Sequence, residues 1–121
     1  MLGWFIRRMA RRQLDTFERT FDYDASYMRE MLHTSRTGFM RFAPIAKMAA
    51  YREDVPLDAW YAAKLTASVA ADCGPCTQLV VRMAEADGVP HEVLRGILQR
   101  DEAAAGPQAW LGVRFADAVL A

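Results

Sequence analysis

The chain has 121 residues, enough for one domain that buries about two thirds of the surface its unfolded form exposes. Hydrophobic and charged fractions of 53% and 25% are globular values, and 15 Lys+Arg balance 15 Asp+Glu, so nothing global signals a nucleic-acid partner or an acidic ligand. No stretch reaches the roughly 18 apolar residues of a spanning helix, and two cysteines within one Cys-x-x-Cys exclude a disulfide scaffold.

Residues 2–21 place Leu2, Phe5, Ile6, Met9, Leu14, Phe17 and Phe21 at helix-like spacing, with arginines between them. Arg7, Arg8, Arg11, Arg12 and Arg19 oppose only Asp15 and Glu18 there, so the segment is locally basic. Arg7 interrupts the apolar run and no small-residue cleavage site follows, so this is not a secretory signal and the expected compartment is the cytoplasm. An interfacial helix that inserts Trp4, Phe5 and Ile6 into lipid is one reading of this segment. A packed helix with a solvated arginine face is preferred, because the segment is short and its charge excess modest, and membrane-surface contact is not expected.

Asp24 is a candidate cap for a second helix through Tyr27, Met28, Met31 and Leu32, and Ser35 for a third containing Phe39, Met40, Phe42, Ile45 and Met48, which Pro44 splits or kinks. The aromatic and methionine positions, with Trp4, Phe17, Phe21 and Trp60 among them, recur at helical spacing and read as core or interface rather than a cofactor pocket. The clearest helix is "DVPLDAWYAAKLTASVAAD", opened by Pro56 and ending near Asp72. Another runs from about Pro75 to Ala86 with Gly88 as its stop, and Pro90 opens a short one through Val93, Leu94, Ile97 and Leu98. After "AAAGP" a last helix begins. No run alternates like a strand, so the expected fold is an all-α bundle with the Cys-x-x-Cys at the start of a helix. It is read as one domain over 1–121, with a basic helical N-terminal extension over 1–34 and a core over 35–121.

"AADCGPCTQL" carries Cys73-Gly-Pro-Cys76, the spelling of a thioredoxin active site. A thioredoxin dithiol follows a buried β-strand, whereas Lys64 to Asp72 is strongly helical, so that fold is excluded by context. The dithiol belongs instead to a turn between two helices, with Cys76 in the first turn of the second. The free N–H groups and positive end of a helix stabilise a thiolate there. A spacing of three residues lets the sulfurs meet, so a disulfide can form and reopen. Cys76, Leu79, Val80 and Met83 share one face, which predicts Cys76 inward and Cys73 outward. A zinc site needs four ligands, and the remaining candidates His33 and His91 are far apart, so no metal is expected. Thr77 stands where haem attachment needs histidine, and no cofactor is expected.

Helix, Cys-x-x-Cys, helix and then "GVPHEVLRGIL" resembles the carboxymuconolactone decarboxylase superfamily, in its alkylhydroperoxidase D-like branch, best over about Val55 to Gln99. The resemblance implies a homo-oligomer, trimer or hexamer, whose catalytic Cys73 and Cys76 reduce a peroxide or disulfide and are recycled by a thiol or lipoyl reductant. That pattern also uses a histidine four residues beyond the second cysteine and a glutamate twelve before the first; here Val80 and Tyr61 stand in those places. Tyr61, Lys64 and Ser68 share one helix edge and are candidates for an entrance to the dithiol, or for an ordinary half-exposed face with a snorkelling lysine. Family members usually continue into further helices. This chain stops within an apolar pattern of Leu111, Phe115 and Val119, so either the core is truncated at its C-terminus or a neighbouring subunit covers that face. The expected function is a thiol-dependent peroxidase or disulfide reductase; the alternative is a non-catalytic redox-sensing or assembly module.

Overall fold

The computed structural model describes residues 1–121, which form an all-helical protein of eight helices in two compact units, Met1–Tyr51 and Arg52–Ala121. No helix is long and apolar enough to cross a membrane.

The first unit opens with α1, Leu2–Phe21, about 30 Å long at 1.5 Å per residue. It ends where Asp22 adopts the left-handed conformation, φ 45°, and the Tyr23 N–H returns to the Glu18 carbonyl. Then α2, Ser26–Thr34, is tied to α1 by Arg29, whose guanidinium bridges Asp15 at 2.5 Å and Glu18. That bond holds the Glu18 carboxyl below its ordinary range. Asp24 accepts the Ser26 N–H at 2.9 Å, and Ser35 caps α3, Arg36–Phe42, by accepting the Gly38 N–H at 3.0 Å. Pro44 separates α3 from α4, Ile45–Ala49, as its missing N–H dictates. Ala10, Leu14, Ala25, Leu32 and Phe39 form this unit's core. Because Phe39 buries with Leu14 and Leu32, α3 belongs to the N-terminal unit. The division between the two compact units falls at Tyr51.

The second unit holds α5, Leu57–Ala70; α6, Gly74–Ala86; α7, His91–Gln99; and α8, Glu102–Leu120. Tyr61, Ala62, Leu65, Ala84, Val89, Leu94, Ile97, Ala109 and Val113 fill its core. The close approach of α8 to α5 rests on Gly112, where a Cβ would lie 2.0 Å from the Ala59 carbonyl oxygen. Asp101 accepts the Ala104 N–H at 3.2 Å and starts α8 at Glu102 with a short helical turn that the sequence did not announce, but Gly106, at φ 82° and ψ 165°, is not helical, so a break does fall within "AAAGP" and the longer helical run follows it from Pro107.

Connections in this unit are minimal because its first three helices end in Schellman turns. At Asp72 (φ 51°), Gly88 (φ 95°) and Arg100 (φ 60°) the chain turns left-handed. The paired bonds of that motif follow: Cys73 N–H to Ser68 and Asp72 N–H to Val69, then Val89 to Ala84 and Gly88 to Glu85, then Asp101 to Gly96 and Arg100 to Ile97.

Candidate redox site

The Schellman turn at Asp72 builds the site. Cys73 is the residue whose N–H closes α5, at 3.3 Å from the Ser68 carbonyl, and it is also the N-cap of α6. Only Ala71 and Asp72 thus lie between the last residue of α5 and the cap of α6. Pro75 lies in the first turn of α6, where its missing N–H leaves no intrahelical bond unmade. Thr77 ties that turn down twice, through its N–H at 2.9 Å and its hydroxyl at 3.0 Å, both given to the Cys73 carbonyl.

Cys73 and Cys76 are joined in a disulfide with their Cα atoms 5.2 Å apart, and the Cys76 N–H donates to Cys73 Sγ at 3.3 Å. Both cysteines are partly exposed, and their neighbours Ala71, Asp72, Gly74, Pro75 and Gln78 are exposed. The expected contrast of an inward Cys76 and an outward Cys73 is therefore absent at the level of burial. What distinguishes the sulfurs is the hydrogen bond, which Cys73 Sγ accepts. A Cβ built on Gly74 meets nothing within 4 Å, so the face beside the disulfide is open.

Tyr61 and Lys64 do not line an entrance to this turn. Tyr61 is 3% exposed and its hydroxyl donates to Asp87, at the far end of α6. Burial first, and then this bond, push the Tyr61 hydroxyl well above its ordinary pKa. Asp87 lies eleven residues beyond Cys76, roughly 16 Å along the helix axis, so the pair is out of direct reach of the sulfurs. Lys64 stacks on Trp60, its Nζ 3.5 Å from the ring centroid, and burial lowers its pKa. Ser68 gives its hydroxyl back to the Lys64 carbonyl at 2.9 Å. Neither expected reading of this edge holds: Tyr61 is buried and the Lys64 ammonium lies over an aromatic ring instead of reaching into water. Val80, in the place where the resemblance puts a histidine, is partly buried against the core.

His91 is exposed, with Nδ1 3.3 Å from Glu85 Oε1, and His33 lies on the surface of the first unit beside Arg11 and Glu30. No group of three or more His, Cys, Asp or Glu is arranged to hold a metal. A cavity of about 300 Å³ opens between α5, α7 and α8, lined by Leu65, Thr66, Val69, Ile97, Arg100 and Asp117 among others. Arg100 and Asp117 form a two-bond ion pair there, at 3.1 and 2.8 Å, and the Thr66 hydroxyl is buried without a hydrogen-bond partner. Sequence reading missed the Tyr61–Asp87 bond, since the two lie 26 positions apart. It also missed the left-handed turn at Asp72, whose only local signal is an aspartate just beyond an alanine-rich helix.

Fold and site together define a helical bundle with a disulfide-forming Cys-x-x-Cys at a helix start. Comparisons with protein-family models, with curated proteins and with solved structures returned no match.

Proposed function

We propose that the protein is a thiol-dependent redox protein that cycles Cys73 and Cys76 between dithiol and disulfide, with disulfides as its best-supported substrates and peroxides second. The observation that carries this reading is the Cys73–Cys76 disulfide at the exposed α5–α6 corner, with the Cys76 N–H directed at Cys73 Sγ. In the reduced protein the same N–H and the helix start favour a Cys73 thiolate. That thiolate attacks one sulfur of a substrate disulfide and expels the other as a thiolate. Cys76, giving up its proton, then attacks Cys73 Sγ and releases the second substrate thiol, so the protein is oxidised by two electrons and the substrate reduced by two. A thiol or lipoyl reductant, as the alkylhydroperoxidase D resemblance implies, returns the dithiol. With an organic hydroperoxide the Cys73 thiolate attacks the terminal oxygen, the O–O bond breaks and the alcohol leaves, and the Cys73 sulfenic acid so formed is resolved by Cys76 with loss of water. Disulfides rank first because Val80 and Tyr61 supply no histidine–glutamate relay beside the sulfurs. A reducing, cytoplasmic setting fits a protein whose two cysteines form one exchangeable pair.

The test compares the wild type with Cys73→Ser and Cys76→Ser in steady-state reduction of a dithiol-linked disulfide substrate and of an organic hydroperoxide. Turnover of the disulfide that is lost in both variants supports the reading. A wild-type rate equal to both variants with both substrates overturns it.

A second reading, redox-controlled assembly, draws on the exposed apolar side chains Leu111, Phe115 and Val119 along one stripe of α8. It expects a homo-oligomer, trimer or hexamer as the resemblance implies, whose sedimentation coefficient differs between oxidised and reduced protein without turnover.

A further inference from the structure

The packed reading of the N-terminal helix accounts for only one of its sides. Ala10 and Leu14 are buried, but Leu2 is 74%, Trp4 65%, Phe5 56% and Met9 49% exposed. At 100° per residue Leu2, Phe5 and Met9 fall within a sector of about 60°, turned away from Ala10 and Leu14. Arg8 and Arg12 border this stripe, and the Arg8 guanidinium lies 5.3 Å from the centroid of the Trp4 ring. Trp4, Phe5, Arg8, Met9 and Arg12 together line a shallow groove of about 280 Å³. The charge here is one-sided: Arg7, Arg8, Arg11 and Arg12 precede the first acidic residue, Asp15.

We infer that this outward face of α1, formed by Leu2, Phe5 and Met9 and bordered by Trp4, Arg8 and Arg12, docks on an anionic lipid surface. Three features fit that occupant. Apolar side chains in one narrow sector can enter the acyl boundary while the helix axis stays parallel to the surface. Tryptophan, with an apolar body and an N–H donor, sits well at headgroup depth. Guanidinium groups on the border meet lipid phosphates bidentately. A second protein copy fits less well, because the acidic residues of the same helix, Asp15 and Glu18, are already held by Arg29 and are not free to pair with Arg8 and Arg12 of another copy. Free phosphate or nucleic acid would satisfy the arginines and leave Leu2, Phe5 and Met9 in water.

The experiment sediments the full chain with vesicles of phosphatidylcholine alone and of phosphatidylcholine mixed with phosphatidylglycerol, at low and raised salt. The expected result is partition to the phosphatidylglycerol vesicles that weakens with salt. Arg8→Gln with Arg12→Gln lowers it roughly 25-fold, about fivefold for each arginine. Phe5→Ser lowers it about tenfold at either salt concentration. These positions lie off the buried face, and far-UV circular dichroism checks that the variants keep their helices. The proposal is overturned by absent partition, by equal partition to both vesicle types, or by a Phe5→Ser variant that binds like the wild type. It is also overturned by lipid-free self-association that Phe5→Ser abolishes, which assigns the face to a second copy.

Discussion

The backbone N–H of Cys76 points at the sulfur of Cys73 across 3.3 Å, and no equivalent donor is directed at the sulfur of Cys76. In the proposed redox cycle, donation to one sulfur favours Cys73 as the attacking thiolate. Cys73 as the sole thiol, in Cys76→Ser, should therefore react faster with iodoacetamide at neutral pH than Cys76 as the sole thiol, in Cys73→Ser. Equal rates would sink the proposed order, in which Cys73 attacks first.

The Tyr61–Asp87 bond makes stability depend on alkaline pH. Folding raises the Tyr61 pKa above its ordinary value near 10, so the fold favours the protonated phenol. This contribution is therefore complete below pH 10 and is lost as pH rises through the higher folded value. Tyr61→Phe should cost about 1 kcal/mol at neutral pH and should flatten the alkaline fall in urea midpoint. An unchanged alkaline limb in the variant would show that Tyr61 is not its source.

Asp72 holds a left-handed conformation in which a side chain adds strain and glycine does not. Asp72→Gly should raise stability by about 0.5–1 kcal/mol, read from the urea midpoint, and leave the Cys73 cap in place. A lower midpoint would mean that the aspartate contributes more than its backbone strain costs.

Thr66 buries a hydroxyl with no partner. Thr66→Val keeps the shape and removes the unsatisfied group, and it should stabilise by about 1 kcal/mol in thermal or urea unfolding. Destabilisation would show that the hydroxyl is satisfied in solution.

Gly112 admits no side chain, because a Cβ would stand 2.0 Å from backbone oxygen that cannot swing aside. Gly112→Ala should force α8 off α5 and cost about 3 kcal/mol. Calorimetry would detect it as a large drop in melting temperature, and a wild-type melting temperature would show that the helices part without cost.

Most of the helical plan was legible because short-range chemistry decides it. Ser35, Pro44, Pro56, Gly88 and Pro90 each act within a few residues, and the elements begin or stop around them as their backbone constraints require. The break within "AAAGP" was legible from Gly106 and Pro107; the short helical turn before it was not, because Ala105 is held by burial in one core with Ala109 and Val113 on the other side of the break. The place of the dithiol at a helix start was legible from Gly74, Pro75 and the alanine-rich segment before them. Which sulfur accepts the Cys76 N–H was not, because that depends on one N–H direction rather than on periodicity. Trp4 and Phe5 also defied pattern reading: helical spacing tells which residues share a side and cannot tell whether anything packs against that side.

The double use of Cys73, as the last bond of α5 and the cap of α6, has a mechanical meaning. With no slack in the connection, the sulfurs have no arm on which to travel, and a reacting partner must bring its own bond to a fixed, solvent-facing corner. Under the proposed disulfide-reductase function, such a corner would suit a projecting disulfide on a flexible chain or carrier, for which rate depends on the visitor's reach rather than on any closing motion of the host.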